Sequence, residues 1–351
     1  MGAAQAFAGD AATAVVIRCD ASATLGLGHM TRCLALAGEL RLGGRVRPVF
    51  ASRLDELASR AVAAAGFEML PPAAGEEADY AGWMERVLES TGARALVCDA
   101  RDDFPARTLR LARRKGVLIV VIDNPGDARL FADLAYYPPS PRLERMDWTG
   151  FQGRLRQGFD WVLLRPEFRQ PGPRSVNSPP LLAVSMGGGD PAGLTLIAVR
   201  GLLELEAGFR AAVALGPGFG RREELERLAR QNPSRIRLVS RPVDMAALIR
   251  GADAGLISFG VTAYEFAALG VYTAMICLTP DHMESARPLQ EHGCGVILGL
   301  AAEATPSRIA GGLTAILPRG KTFNSPVDGR GAERIAGEIL AALGLSERRE
   351  P

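Results

Sequence analysis

The fold is predicted first from residues 17–37, IRCDASATLGLGHMTRCLALA. This segment joins an apolar strand to a glycine-rich loop and a helix. The strand is predicted at residues 15–18, and a loop of small residues follows Cys19. The helix is predicted from apolar side chains at helical spacing, namely Met30, Cys33, Leu34, Ala37 and Leu40. Gly43 and Gly44 then supply a stop. This order is typical of the first half of a βαβ unit.

Further strands extend the same alternation along the chain. They are predicted at residues 46–50, 95–99 and 117–123, and the run VLIVVI in the last of these is apolar on both faces. A strand that is apolar on both faces is typical of a buried parallel sheet. The first half is therefore predicted to be a right-handed parallel α/β domain.

A change of composition divides the chain into two such domains. Residues 166–180, PEFRQPGPRSVNSPP, hold five prolines and are predicted to be a linker. The strand and helix alternation restarts at residue 181, with strands predicted at LLAVS, RAAVAL, RIRLVS, AGLIS and YTAMICL. We therefore predict an N-terminal Rossmann-like domain over residues 14–165 and a second, nucleotide-binding one over 181–351. The last helix of the second domain is expected to pack back, and residues 1–13 to be a flexible extension. The predicted fold class is α/β, with two doubly wound domains facing a cleft.

Composition and charge exclude several classes of function. The 351 residues carry 41 basic and 39 acidic side chains, so no nucleic-acid partner is expected. Five cysteines without a CxxC pair indicate small buried side chains and neither a disulfide framework nor a metal site. No apolar run approaches the roughly 20 residues of a membrane helix, and the N-terminus lacks a signal-peptide pattern. We expect a cytoplasmic protein, a monomer or weak dimer, that binds a small molecule.

His29 is the leading candidate for a catalytic residue. It follows Gly26 and Gly28 at the predicted start of the helix, where backbone N–H groups are available to a ligand. A histidine titrates near neutrality and can act as a general base. The alternative is a helix-terminal histidine that is bonded to a neighbouring loop.

A second candidate segment is LLAVSMGGGDPAGLT, residues 181–195. An apolar strand precedes Gly188 and Gly189, and Asp190 and Pro191 are predicted at the N-cap and first turn of a helix. The glycines would let the backbone approach a phosphate. The alternative is an ordinary glycine-rich turn.

A third candidate segment is AGLISFGVTAYEFAALG, residues 254–270. The turn with Ser258, Gly260 and Thr262 is suited to a diphosphate, and Glu265, one turn into the next helix, to the two hydroxyls of a ribose. Glu265 could instead be a first-turn acid that the helix dipole favours. Ahead of this strand, Val243 could present its backbone to the edge of a base.

The order of these motifs is more specific than any one of them. IRxDAS, GxGHxxRCLALA, LLRPEF, SMGGGDPxxLT, TAYEFAALG and DGxGAxRIA follow one another between about residues 15 and 340. This pattern resembles the hydrolases of pseudaminic acid biosynthesis, which release UDP from UDP-2,4-diacetamido-2,4,6-trideoxy-β-L-altropyranose. It is also similar to the spore-coat polysaccharide proteins and, more distantly, to the inverting glycosyltransferase that builds peptidoglycan lipid II.

The resemblance implies a GT-B fold and a reaction that needs neither metal nor cofactor. His29 falls on the family's catalytic histidine, which activates water to attack the anomeric carbon with UDP as the leaving group. Arg18, Asp20 and Arg32 match family positions that lie near the sugar or support the loop. The two glycine-containing turns of the second half would face the diphosphate.

Two departures from the family pattern concern the sugar side of the site. Where the hydrolases carry Asp-His-Tyr, this chain has Asp99, Ala100 and Arg101, and the later Asn-Gln is replaced by Asp281 and His282. These changes indicate an altered sugar or a different acceptor. We therefore expect hydrolysis of a UDP-linked amino-deoxy sugar, with glycosyl transfer as the alternative and a non-catalytic nucleotide-sugar binding protein as a third reading.

Overall fold

The computed structural model describes residues 12–22, 25–100, 104–169, 177–190, 192–216, 219–240, 244–314 and 323–345. Most of the predicted N-terminal extension and residues 170–176 of the predicted linker lie outside these ranges. Arg101, Pro191 and Val243 also lie outside the described residues.

A parallel sheet of seven strands forms the first half of the chain. Its strands are β1 (Thr13–Cys19), β2 (Val46–Ala51), β3 (Glu68–Met69), β4 (Ala95–Asp99), β5 (Leu118–Ile122), β6 (Leu134–Tyr137) and β7 (Arg154–Gln157). Their order is β3-β2-β1-β4-β5-β6-β7, and each neighbouring pair is parallel. β1, β4 and β5 are apolar along almost their whole length and are buried, as a sheet covered on both faces requires.

Helices cover both faces of this sheet. They are α1 (Gly28–Arg41), α2 (Glu56–Ala64), α3 (Tyr80–Thr91) and α4 (Ala106–Arg114). The side chains of Asp55 and Asp79 accept hydrogen bonds from the first amides of α2 and α3, which fixes where these helices begin. α1 packs on one face of the sheet, and α3 and α4 pack on the other.

The second half contains a parallel sheet of six strands. Its strands are β8 (Leu181–Ser185), β9 (Arg210–Ala214), β10 (Ile236–Val239), β11 (Ala254–Ser258), β12 (Thr273–Cys277) and β13 (Gly295–Leu300). They follow the order β10-β9-β8-β11-β12-β13. The accompanying helices are α5 (Leu194–Leu203), α6 (Arg222–Gln231), α7 (Met245–Arg250), α8 (Val261–Ala268), α9 (Pro280–Glu291) and α10 (Pro306–Thr314).

The last helix, α11 (Gly331–Ala342), returns to the first sheet. Its apolar residues Ala332, Ile335 and Ile339 are fully buried in the same core as α1. A Cβ on Gly331 would lie 2.1 Å from the carbonyl oxygen of Val162, so only glycine fits at the start of this helix. The last part of the chain therefore completes the core of the first half.

The predicted fold class is confirmed, since both halves are parallel α/β units of the Rossmann type. In each sheet the strand order reverses beside the first strand, between β1 and β4 and between β8 and β11. Ligands of open α/β sheets bind outside the carboxyl ends of such strands. Among the helices of the described ranges, none combines the length and the apolar character that a membrane crossing requires.

Candidate functional site

The loops at the two reversal points meet each other. A Cβ on Gly28, at the start of α1, would lie 3.9 Å from Cγ2 of Val261 at the start of α8. A Cβ on Gly188, in the loop after β8, would lie 3.8 Å from the backbone nitrogen of Leu27. The candidate segments of the first and second halves therefore form the two walls of one cleft.

His29 lies in the first turn of α1 and is bound to a carboxylate at the end of β4. Its Nδ1 is 2.7 Å from Oδ1 of Asp99. Nε of Arg32 donates to Oδ2 of Asp99 over 2.6 Å, and Nη2 donates to Oδ1 over 2.5 Å. Burial opposes the charge on Asp99, but Arg32 and His29 hold the pKa of its carboxyl well below its usual range. Asp99 is therefore ionised at neutral pH.

The ionised carboxylate determines the tautomer of His29. An ionised Asp99 can only accept a hydrogen bond, so Nδ1 of His29 must carry the proton. Nη2 of Arg32 also lies 3.1 Å from Nδ1, but two donors cannot bond to each other, and the shorter contact to Asp99 decides the assignment. The other ring nitrogen, Nε2, then has its lone pair available, and the side chain is 24% exposed. This arrangement suits a general base.

A second acidic residue adjoins this group at the end of β5. Asp123 has a positive φ of 47° and is buried, and its Oδ2 is 3.4 Å from Nη1 of Arg32. Nη2 of Arg142 donates to Oδ1 of Asp123 over 2.6 Å. Tyr264 of α8 faces the same residues from the second half, and burial together with the charge of Asp123 raises the pKa of its hydroxyl. The candidate residues predicted from sequence did not include Asp123, Arg142 or Tyr264.

Arg18 and Asp20 pair with each other at the carboxyl end of β1. Arg18 is fully buried, with Nε donating to the hydroxyl of Tyr80 over 2.8 Å and Nη2 donating to Asp20 over 2.7 Å. Asp20 also accepts from the backbone nitrogen of Arg53 over 2.8 Å. Burial opposes ionisation of Asp20, while Arg18 lowers the pKa of its carboxyl. These contacts hold the loops after β1 and β2 together.

The glycine-rich loop after β8 differs in one respect from its prediction. The helix begins at Leu194 and not at Asp190, because Asp190 and Gly193 adopt positive φ values of 46° and 66°. The carboxylate of Asp190 accepts hydrogen bonds from the amides of Leu194 and Thr195, each over 2.8 Å. Asp190 therefore caps the first amides of α5, and Gly188 lies on the cleft side of the loop, facing Leu27.

The turn after β11 lies next to this loop. A Cβ on Gly187 would lie 3.8 Å from Oγ of Ser258, which is buried at the end of β11. Gly260 and Thr262 follow at the start of α8 and are partly exposed. The structure thus brings the two predicted diphosphate turns together, with the N-terminus of α1 opposite them.

Glu265 is buried one turn into α8 and has a basic partner. Nη2 of Arg165, in the LLRPEF motif, donates to Oε1 of Glu265 over 3.3 Å. Burial raises the pKa of the Glu265 carboxyl, and Arg165 offsets part of that effect. The predicted site residue Val243 lies outside the described residues.

The positions that depart from the family pattern have local roles in the structure. The carbonyl oxygen of Ala100 accepts a hydrogen bond from Asn124 over 2.7 Å. Oδ2 of Asp281 accepts from Nη1 of Arg142 over 3.1 Å, which joins the two halves of the chain. The amide of His282 donates to Oγ1 of Thr279 at the start of α9.

The loop that carries Gly188 has no room to move toward β9. A Cβ on Gly216 would lie 2.1 Å from the carbonyl oxygen of Gly188, whereas a Cβ on Gly220 meets nothing within 4 Å. If this cleft binds UDP, Gly216→Ala should displace the glycine-rich loop and weaken that binding about tenfold or more, whereas Gly220→Ala should change it little. Calorimetric titration of both variants with UDP measures the difference. Equal affinities would show that the loop does not contact the nucleotide.

Two curated relatives match part of the sequence. An uncharacterised protein of Methanocaldococcus jannaschii is 24% identical over 270 residues, which are 73% of this chain and 54% of that protein. The spore coat polysaccharide biosynthesis protein SpsG of Bacillus subtilis is 25% identical over 195 residues, which are 52% of this chain and 57% of SpsG. The chain spans about half the length of the curated relatives it matches. No protein-family model matches the chain.

Solved structures match nearly the whole chain in fold. MurG of Acinetobacter baumannii has a TM-score of 0.63 at 14% identity, with 94% of this chain and 99% of MurG covered. The calicheamicin glycosyltransferase has a TM-score of 0.60 at 17% identity, with coverages of 97% and 100%. UDP-GlcNAc 2-epimerase of Neisseria meningitidis, bound to UDP-GlcNAc, has a TM-score of 0.59 at 9% identity, with coverages of 94% and 100%. The chain therefore has the GT-B fold, with two Rossmann-like domains facing a cleft that contains His29.

Proposed function

We propose that this chain is an enzyme that cleaves a nucleotide-activated sugar, with His29 as the general base. The observation that carries the proposal is the contact between Nδ1 of His29 and the ionised Asp99, because it leaves Nε2 to accept a proton. UDP-sugars are the proposed substrate class, since proteins of similar fold include a UDP-GlcNAc 2-epimerase solved with UDP-GlcNAc.

The proposed step is an inverting displacement at the anomeric carbon. The oxygen of the nucleophile attacks this carbon while its proton passes to Nε2 of His29. The bond between the anomeric carbon and the diphosphate oxygen breaks, and UDP leaves with the electron pair. The backbone amides around Gly188 and Gly260, with the hydroxyls of Ser258 and Thr262, would stabilise the charge that develops on the diphosphate.

We place water first as the nucleophile. The resemblance of the motif series supports hydrolysis of UDP-2,4-diacetamido-2,4,6-trideoxy-β-L-altropyranose or a close analogue, in pseudaminic or another nonulosonic acid pathway or in surface polysaccharide synthesis. Arg18 and Asp20 would hold the loop that carries His29, and Arg32 would fix Asp99. Val243 would contact the uracil.

Glycosyl transfer to an acceptor is the second candidate. The similarity to SpsG favours it, since that protein is named for spore coat polysaccharide biosynthesis, and a glycosyltransferase is among the proteins of similar fold. Ala100 and Asp281 stand where the hydrolases carry other residues, so the sugar side of the cleft is suited to a different reaction partner or sugar.

Phosphorus and proton NMR of the purified protein with a panel of UDP- and CMP-sugars, without acceptor, separates these candidates. The panel includes the 2,4-diacetamido-trideoxy-altrose derivative. Release of UDP together with the inverted free sugar supports hydrolysis, and the His29→Asn variant must then be slow. Tight UDP binding without release supports transfer. If neither binding nor release is seen with any nucleotide sugar, the proposed function is wrong.

The proposed ribose contact gives a separate prediction. Glu265→Gln keeps the shape of the side chain but removes the carboxylate acceptor, so we expect UDP affinity to fall roughly tenfold. The preference for UDP over 2′-deoxy-UDP should disappear in the same variant. Glu167→Gln is the matched control, because Glu167 also pairs with Arg165, over 2.9 Å, and is more exposed. A Glu265→Gln variant that still prefers UDP would show that Glu265 does not bind the ribose.

A further inference from the structure

A series of charged contacts continues from His29 across the cleft. Asp99 contacts His29 over 2.7 Å and Arg32 over 2.6 Å. Nη1 of Arg32 is 3.4 Å from Asp123, and Nη2 of Arg142 is 2.6 Å from the same carboxylate. Arg142 is therefore connected to His29 through three intervening side chains.

Arg142 also binds the second half of the chain. It lies in the short 3₁₀ helix Pro141–Arg145, and its Nη1 donates to Asp281 in the first turn of α9 over 3.1 Å. The next turn of the same segment places Arg145 against Glu284 of α9, at 2.6 Å. Both arginines thus bridge the halves, but of these two only Arg142 contacts Asp123.

The two bridges differ in burial, so the removal of Arg142 and the removal of Arg145 should have different effects. The side chains of Arg142 and Asp123 are 13% and 9% exposed, whereas that of Arg145 is 63% exposed. The Arg142 contact to Asp123 is also much shorter than the Arg32 contact. If the charge of Arg142 is removed, the buried Asp123 carboxylate will attract Arg32 more strongly. Arg32 can then shift toward Asp123, and the two hydrogen bonds from its guanidinium to Asp99 will lengthen.

We propose that Arg142 is a positioning residue for His29, which it aligns through Asp123, Arg32 and Asp99. The inference rests on the proposed function, in which His29 is the base. Because Arg142 also binds Asp281, the alignment of the imidazole depends on how the two halves meet. His29 is then held in this orientation only when the two halves meet as they do here.

The state of the imidazole can be measured without substrate. Long-range ¹H–¹⁵N spectra report which ring nitrogen carries the proton, and the chain has only three histidines, so the His29→Asn variant assigns the His29 signals. At a pH where the ring is neutral, the unmodified protein should show one tautomer, with the proton on Nδ1. Arg142→Met should keep the proton on Nδ1, because Asp99 still accepts it, but the His29 ring signals should shift or broaden as the ring loses its fixed orientation. Arg145→Met should match the unmodified protein.

Turnover provides the second measurement. Arg142→Met should lower kcat roughly tenfold with little change in UDP affinity, because only the orientation of the base is disturbed. Arg142→Lys, which keeps the charge but loses the two-armed contact, should recover part of the loss. Arg145→Met should stay within about twofold of the unmodified enzyme. An Arg142→Met variant with the His29 signals and the kcat of Arg145→Met would overturn the proposal.

The two proposals fail in distinguishable ways. If no nucleotide sugar is cleaved or transferred by the unmodified protein, the proposed function fails, while the comparison of the His29 signals still tests the role of Arg142. If Arg142→Met does not fold, Asp281→Asn provides the same test from the other half of the chain. That variant removes the negative charge on the far side of Arg142, and it should broaden or split the His29 signals. Unchanged signals in a folded Asp281→Asn variant would overturn the dependence on the second half.

Discussion

Replacing His29 with asparagine should lower turnover of the nucleotide sugar by roughly 10² to 10⁴ while UDP affinity stays near its original value. Asparagine can keep a hydrogen bond to Asp99, so the ion pair of Asp99 with Arg32 should survive. It has no group that accepts a proton near neutral pH, and the nucleophile then attacks without a base. Release of UDP followed by phosphorus NMR measures the rate, and calorimetry measures the affinity.

His292, directly after α9, provides the control for this substitution. His292 lies exposed at the C-terminal end of α9, with Nδ1 2.8 Å from the carbonyl oxygen of Pro288, so His292→Asn should leave turnover unchanged. The expected contrast is a large loss in one variant and none in the other. A His29→Asn variant with full turnover would show that another group takes the proton.

The fold could be predicted to the extent that its strands are apolar. β1, β2, β4, β5 and the five strands from β8 to β12 were predicted from runs of apolar residues. β3, β6, β7 and β13 were not predicted. β7, RLRQ, is mostly exposed, and β3 has only two residues, so neither has the apolar pattern of a buried strand. β13, GVILGL, is apolar but contains a bulge against β12 and two glycines, which obscure its pattern.

The candidate site was predictable where motifs are local. His29 and Gly188 lie in the segments that follow the apolar strands β1 and β8, Ser258 ends the apolar strand β11, and the structure brings these three segments to one cleft. Asp99 and Asp123 obey the same rule, since both stand at the carboxyl end of a buried strand, and this signal could have identified them. Arg142 could not be found in this way, because its contacts span 19 and 139 residues of sequence.

Asp99→Asn should lower turnover by roughly 10² to 10³ and should also destabilise the fold. An asparagine cannot satisfy both neighbours, because either orientation of its amide directs an N–H group toward the guanidinium of Arg32. With its N–H group toward Nδ1, it favours the tautomer of His29 that lacks a lone pair on Nε2. Asp127→Asn is the control, since Asp127 has an 88% exposed side chain paired with Arg129 on the surface. Equal turnover in the two variants would contradict the role of Asp99.

The stability of the Asp99→Asn variant shows whether its loss of turnover comes from a misplaced His29 or from a weakened fold. Arg32 would lose its two short contacts to a carboxylate in a buried place and keep only the 3.4 Å contact to Asp123, which costs up to about 3–5 kcal/mol of the free energy of unfolding. The added change Arg32→Met removes this poorly paired charge, so it should recover stability without recovering turnover. The pKa of the Asp99 carboxyl is lowered in the folded protein, so its contribution to stability is complete above the ordinary aspartate pKa of 3.8 and declines as the pH falls below it. Urea titrations between about pH 5 and pH 2 should therefore show a steeper loss of stability in the unmodified protein than in Asp99→Asn. Parallel losses in the two proteins would mean that Asp99 is not ionised against Arg32 and His29.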